Sequence, residues 1–190
     1  MRTAQAEPGM GITPAVVLVN TKYGHNAAGT LRLCSAYGID QLWITGDRWS
    51  DGWEKRMPRE ERMKAYGEVD VIRCDMPLLA FDSGVTPVAV EVMPQAETLP
   101  QFEHPANAVY VFGPEDGGLP DWARRNCHRH VIIPTDHCLN LSNAVATVLY
   151  DRRAKLQMAG LEPFRPSYAT LREDRGFHDG DEALSWTEEK

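Results

Sequence analysis

The chain reads as an α/β protein with a mostly parallel sheet and flanking helices. Short β-branched apolar runs recur along it without strict alternation, and the stretches between several of them carry helical spacing. Strands covered on both faces are continuously apolar, whereas a sheet with one wet face alternates apolar with polar residues. Strands and helices that take turns along the chain favour a parallel sheet.

The first run, VVLV at 16–19, leads to a segment at 26–37 in which Ala28, Leu31, Cys34 and then Ala36 or Tyr37 fall near a 3.6-residue period. Gly38 follows as a stop. Further strands are predicted at 42–44, 69–72, 88–90, 109–112 and 131–133. Residues 77–81 offer one helical turn and 120–127 a shorter helix. The final run precedes Leu141, Ala144, Val145, Val148 and Leu149, again at helical spacing, ending in the basic 151–155 segment.

A length of 190 residues suits one domain. It divides into an N-terminal extension at 1–13, a body at 14–158 and a polar, acidic C-terminal extension at 159–190, whose Phe164, Tyr168 and Trp186 are candidates to dock on the body. With 43% hydrophobic and 25% charged residues the composition is that of a globular protein. No apolar run is long enough for a membrane span, and MRTAQAEPGMGITP lacks a signal-peptide layout, so a cytoplasmic protein is expected. Cys34, Cys74, Cys127 and Cys138 form no C-x-x-C pair, which disfavours a disulfide framework and a metal site. The net charge of −7 argues against gripping nucleic acid by bulk electrostatics but leaves room for a local basic patch.

Two segments stand out. In VFGPEDGGLP, at 111–120, Gly113 directly after a strand allows close backbone approach, and Gly117 with Gly118 permits a second bend. The segment is neither a G-x-G-x-x-G fingerprint nor a P-loop. Its Glu115 either anchors the loop through backbone amides or reaches a ligand. In HCLNLSNA, at 137–144, some of Cys138, Asn140, Ser142 and Asn143 must cap the following helix, leaving the others to face a ligand. His137 and Cys138 are chain neighbours and seldom point at each other, which disfavours a nucleophilic dyad. Arg32 is a charged residue within an otherwise apolar helical pattern.

With HNAAGTLRLCSAYGID, VFGPEDGGLP and IIPTDHCLNLSNAVATVLYDRR in that order, the chain resembles the SpoU/TrmH family of SPOUT methyltransferases over residues 16–155. Within it, the chain looks most similar to small single-domain members that methylate the wobble ribose of tRNA. The resemblance implies a C-terminal deep trefoil knot, S-adenosylmethionine held bent in the knot loops, and a homodimer. It places Val90, Glu91, Gly113, Ile133, Cys138 and Leu139 at cofactor-lining positions. It matches Arg32 to the family's catalytic arginine, and Asn26, Glu115 and Asn140 to its other catalytic-site positions. Guanidinium is effectively always protonated, so Arg32 is expected to activate and position the ribose hydroxyl through a substrate phosphate. Two departures stand out: Cys138 replaces a common Ser, and the 134–138 loop is shorter than in the wobble-ribose members.

RNA contacts are expected from two stretches. DRWSDGWEKRMPREERMK, at 47–64, interleaves Arg48, Lys55, Arg56, Arg59, Arg62 and Lys64 with Trp49 and Trp53, but also with acids. RRNCHRH, at 124–130, offers Arg124, Arg125, His128, Arg129 and His130 without an interspersed acid. The function so implied is S-adenosylmethionine-dependent 2′-O-ribose methylation of RNA, with tRNA the expected substrate, by a homodimer without metal or membrane. An rRNA ribose methyltransferase, a SPOUT enzyme acting on a base nitrogen, and a non-catalytic RNA-binding homologue stay open as alternatives.

Overall fold

A computed structural model describes residues 14–48 and 69–161. Strands β1 (Ala15–Leu18), β2 (Gln41–Ile44), β3 (Asp70–Arg73), β4 (Thr86–Val90), β5 (Glu97–Thr98), β6 (Ala108–Phe112) and β7 (Arg129–Ile132) build one sheet of order β3-β2-β1-β6-β4-β7-β5. Every pairing in it is parallel. All the predicted strands are present. The short β5 was missed because Glu97 and Thr98 carry no apolar signal; its place comes from pairing with Val131 and Ile132.

Successive strand residues point to opposite faces of a sheet, and both faces here are dry. Val16 and Leu18 of β1 and Tyr110 and Phe112 of β6 pack with helices α1 (Gly24–Tyr37) and α3 (Leu141–Met158), through Ala28, Leu31, Cys34, Val145 and Val148. Ala15, Val17, Val109 and Val111 face the other way, toward Trp43, Leu119 and Ala123 of α2 (Asp121–Asn126). Full burial of an aliphatic side chain such as Leu31 stabilises by about 1.5–3 kcal/mol. Helix α1 begins two residues earlier than its apolar spacing predicts, and Gly38 ends it in the left-handed region (φ 67°), its N–H reaching back to the carbonyls of Cys34 and Ser35. The weak helical turn at 77–81 is a 3₁₀ turn, Pro77–Ala80.

A buried polar lock ties α3 to the loop before β6. His104 bonds Tyr110 Oη at 2.6 Å and Asp151 at 2.8 Å, while Arg152 donates to the carbonyls of Pro105 and Ala106 at 2.8 and 3.0 Å. Cys34 and Cys127 are buried free thiols, each pushed up to about 12 by that burial. Two compact units are distinguished, ending and beginning at Arg153 and Ala154, and of the second only residues 154–161 are described.

Candidate active site

Parallel strands bring all their C-terminal ends to one edge, and the loops leaving β4, β6 and β7 converge there. With the N-terminal ends of α1 and α3 they enclose a cavity of about 780 Å³. Its lining draws on all three sequence motifs: Asn26 from the first, Gly113 and Glu115 from the second, Ile133, Cys138, Leu139 and Asn140 from the third. Val90 and Glu91, at the end of β4, complete the cofactor-lining residues expected from the sequence.

Polar side chains knit these segments together. Glu115 accepts from Asn26 Nδ2 (2.6 Å), the Thr21 hydroxyl (2.9 Å) and the backbone amides of Lys22 (2.8 Å) and Tyr23 (3.3 Å). Asn26 is 1% exposed, and its Oδ1 accepts from Asn140 Nδ2 at 2.9 Å. Asn140 in turn caps α3, its Oδ1 taking the Ser142 amide and hydroxyl at 3.0 and 2.8 Å. Burial works against ionising Glu115, but the hydrogen bonds from Asn26, Lys22 and Thr21 outweigh it and hold the carboxyl below its ordinary value. Of the two roles the sequence left to Glu115, the anchor is filled in full, and Asn140 is identified as a cap.

Glu91 is an anchor as well as a lining residue. Its Oε2 accepts from the Leu119 amide at 2.6 Å and its Oε1 from the Val92 amide at 2.9 Å. The Gly-rich loop folds back so tightly that a Cβ on Gly113 would stand 3.0 Å from the Leu119 nitrogen, and one on Gly118 3.0 Å from Glu91 Oε2. Gly113, set against backbone, needs glycine for room, whereas at Gly118 the neighbour is the end of the Glu91 side chain.

The cavity's chemistry follows from its walls. Val90, Ile132, Ile133 and Leu139 form an apolar side suited to a flat heteroaromatic ring. Two carboxylates, Glu91 and Glu115, and no Lys or Arg line the space among the described residues. That favours a ligand carrying positive charge over one carrying phosphates. S-adenosylmethionine, with an adenine ring, a sulfonium and an ammonium, fits this donor set and volume.

Arg32 is exposed on α1 and does not line the cavity. A six-residue step along a helix turns it by about 120° from Asn26. The RRNCHRH stretch lies at the opposite edge of the sheet, because Arg129 is the first residue of β7, whose last residues reach the cavity. Asp121, just upstream, pairs with Arg124 and, at 3.6 Å, with Arg125. Arg129 bonds Glu97 at 2.6 Å and lies 4.6 Å from the Phe102 ring centroid. Arg56 and Arg59, with Trp49 and Trp53, lie outside the described residues. Arg48 is described, and it chelates Asp116 at 2.8 and 2.6 Å.

Tyr23 and His25, which also line the cavity, carry no signal in the apolar pattern. An aromatic residue and a histidine flanking Gly24 at a helix start is the sequence feature that marks them. Among the described residues no cluster of His, Cys, Asp and Glu could hold a metal, and no helix is long and apolar enough to cross a membrane.

Comparison with known proteins matches residues 13–150 to the SpoU rRNA Methylase family. The chain is 31% identical over 156 residues to a tRNA (cytidine-2′-O-)-methyltransferase, TrmJ, of Methanocaldococcus jannaschii, covering 75% of this chain and 68% of that protein. Its fold is similar to the TrmH/SpoU tRNA modifying enzyme of A. aeolicus, with a TM-score of 0.67 at 20% identity over 84% of each chain. A structure concerned with the 2-OH methylation of C/U34 on tRNA matches with a TM-score of 0.65 at 22% identity, over 75% of this chain and 90% of that one. The SpoU methyltransferase AviRb from Streptomyces viridochromogenes, solved with its cofactor AdoMet, matches with a TM-score of 0.66 at 17% identity, over 82% of this chain and 63% of that one. With three motifs meeting in one cavity and a family match over most of its length, the chain belongs to the SpoU rRNA Methylase family.

Proposed function

We propose that this protein is an S-adenosylmethionine-dependent RNA 2′-O-ribose methyltransferase that acts on tRNA, in the cytoplasm, as a homodimer with the trefoil knot of its family. The observation that carries the reading is the cavity assembled from all three motifs, apolar on one side and lined, among the described residues, by two carboxylates and no cation. The relative named for cytidine 2′-O-methylation of tRNA supports tRNA and the ribose as target.

When bound, S-adenosylmethionine supplies an electrophilic methyl group. Val90, Ile133 and Leu139 would hold its adenine, Gly113 and Cys138 would offer backbone groups, and Glu91 and Glu115 would balance its positive charge. The Asn26, Glu115 and Asn140 chain keeps the three loops in one arrangement, so alignment of donor and acceptor is set before RNA arrives. Arg32 holds a substrate phosphate that orients the ribose hydroxyl and accepts its proton, and the guanidinium stays charged. Standing off its own cavity, Arg32 serves the cavity of a second copy, which makes the homodimer the active unit. Arg125, with its side chain 81% exposed, is the cation of the second stretch best placed for a distant RNA contact. No metal takes part.

Digesting methylated RNA to nucleosides tests the reaction: a 2′-O-methylnucleoside supports it, and a base-methylated product overturns it. Parallel reactions with tRNA and rRNA decide the RNA class. Mixing inactive Arg32→Ala with a cavity-blocked Leu139→Arg tests the shared site. Activity that returns only in the mixture supports it, and a mixture as inactive as its parts contradicts it.

A further inference from the structure

Part of the cavity wall is a pair of stacked rings at its mouth. Tyr23 and His25 stack there, their ring centroids 5.4 Å apart and their planes 19° from parallel. Neither ring is hidden: Tyr23 is 44% exposed and His25 is exposed. Their backbone is nonetheless fixed. The amides of Lys22 and Tyr23 donate to Glu115, and the Tyr23 carbonyl accepts the Asn26 amide at 3.0 Å. The carboxylate that positions Asn26 thus also presents two stacked rings to solvent at the mouth of the site.

A methyl-transfer cavity has to take two ligands, and the apolar wall of Val90, Ile133 and Leu139 suits one of them. Building on the RNA methyltransferase reading above, we propose that Tyr23 and His25 form the stacking platform for the nucleobase of the nucleotide being methylated. Every base has a π-face, so such a platform binds single-stranded RNA at a splayed-out nucleotide with little demand on base identity. Lys22 Nζ stands 5.3 Å from the Tyr23 ring centroid, so the base joins the ladder at the imidazole.

Charge is arranged to match. Lys22 and Arg48 share Asp116 at 3.3 and 2.6 Å, which sets two cations on the rim beside the platform, with the Glu115 carboxylate on the cavity side of them. Phosphates run along that rim, while the neutral base and ribose enter the carboxylate-lined space. A general-base role for His25 would need a partner on its second nitrogen to fix the tautomer. Among the described residues its ring makes no hydrogen bond, and its contact is the stack with Tyr23.

The test is steady-state methyl transfer by the full chain to unmodified tRNA, with S-adenosylmethionine affinity measured by calorimetry on the same samples. His25→Ala and Tyr23→Ala are expected to raise KM for RNA roughly 5- to 100-fold, with His25→Phe recovering most of the loss. Cofactor affinity is expected to stay within about twofold, the size of a negligible perturbation, which also certifies the fold. Unchanged KM in both alanine variants overturns the platform. So does a kcat loss and altered pH profile in His25→Phe, which makes His25 a base, or weakened cofactor binding, which puts adenine on the rings. A wild-type chain that methylates neither tRNA nor rRNA defeats the underlying reading itself, an outcome distinct from active enzyme with indifferent variants.

Discussion

Asn26 and Glu115, 89 residues apart in the chain, are joined by a 2.6 Å hydrogen bond in which a buried amide donates to a carboxylate. The first motif is thereby fixed to the second, and through Asn140 to the third. Asn26→Ala removes a donor from Glu115 and an acceptor from Asn140. It is expected to lower unfolding free energy by about 1–3 kcal/mol and methyl transfer by at least tenfold, checked by urea denaturation and initial rates. Asn26→Asp should destabilise further, because it sets a second carboxylate against the first.

Acid should loosen the same joint. The Glu115 carboxyl titrates below its ordinary value of 4.5, so the folded state favours the ionised form. Its contribution is fully present above that ordinary value and is lost as pH falls through the lowered folded value. Asp116, held well below the usual carboxylate range by Arg48 and then by Lys22, adds a loss of the same sign. Urea midpoints measured through this range should fall less steeply for Glu115→Gln than for the wild type; parallel curves would contradict the assignment.

The thiols should separate by reactivity. Cys34 and Cys127 are buried and pushed up to about 12, whereas Cys138 is exposed in the cavity wall. A thiolate reagent should therefore label Cys138 well before those two in the native protein, and saturating S-adenosylmethionine should slow it. Mass spectrometry of partially labelled protein identifies the site.

Arg152 is 7% exposed and closes on the carbonyls of Pro105 and Ala106. Arg152→Ala should cost about 1.5–3 kcal/mol of stability, the range for hydrogen bonds to a charged group. Thermal melts should show the loss, with cofactor affinity near that of the wild type.

Much of this was legible in the chain, and the exceptions have physical causes. Runs such as VVLV and VYVF announced strands because a doubly covered sheet demands continuous apolar residues, and Gly38 announced a stop because only the left-handed region closes α1 there. β5 was silent because two residues held by pairing need no apolar pattern. The capping role of Asn140 was one of several that spacing allowed, and geometry chose it. RRNCHRH looked uncompensated in sequence, yet Asp121 lies one helical turn before its arginines, and Glu97 reaches Arg129 across the β5–β7 pair. The Tyr23 and His25 platform depends on a tertiary contact with Glu115, which no local pattern encodes.

Methyl transfer to RNA in this cavity is proposed to depend on Arg32. Transfer of a labelled methyl group from S-adenosylmethionine to unmodified tRNA and to rRNA, by wild type and by Arg32→Ala, tests it most directly. Label is expected on tRNA, recovered as a 2′-O-methylnucleoside, and lost in Arg32→Ala while cofactor binding persists. Full activity in Arg32→Ala, or no label on either RNA from a wild-type protein that binds the cofactor, would contradict it.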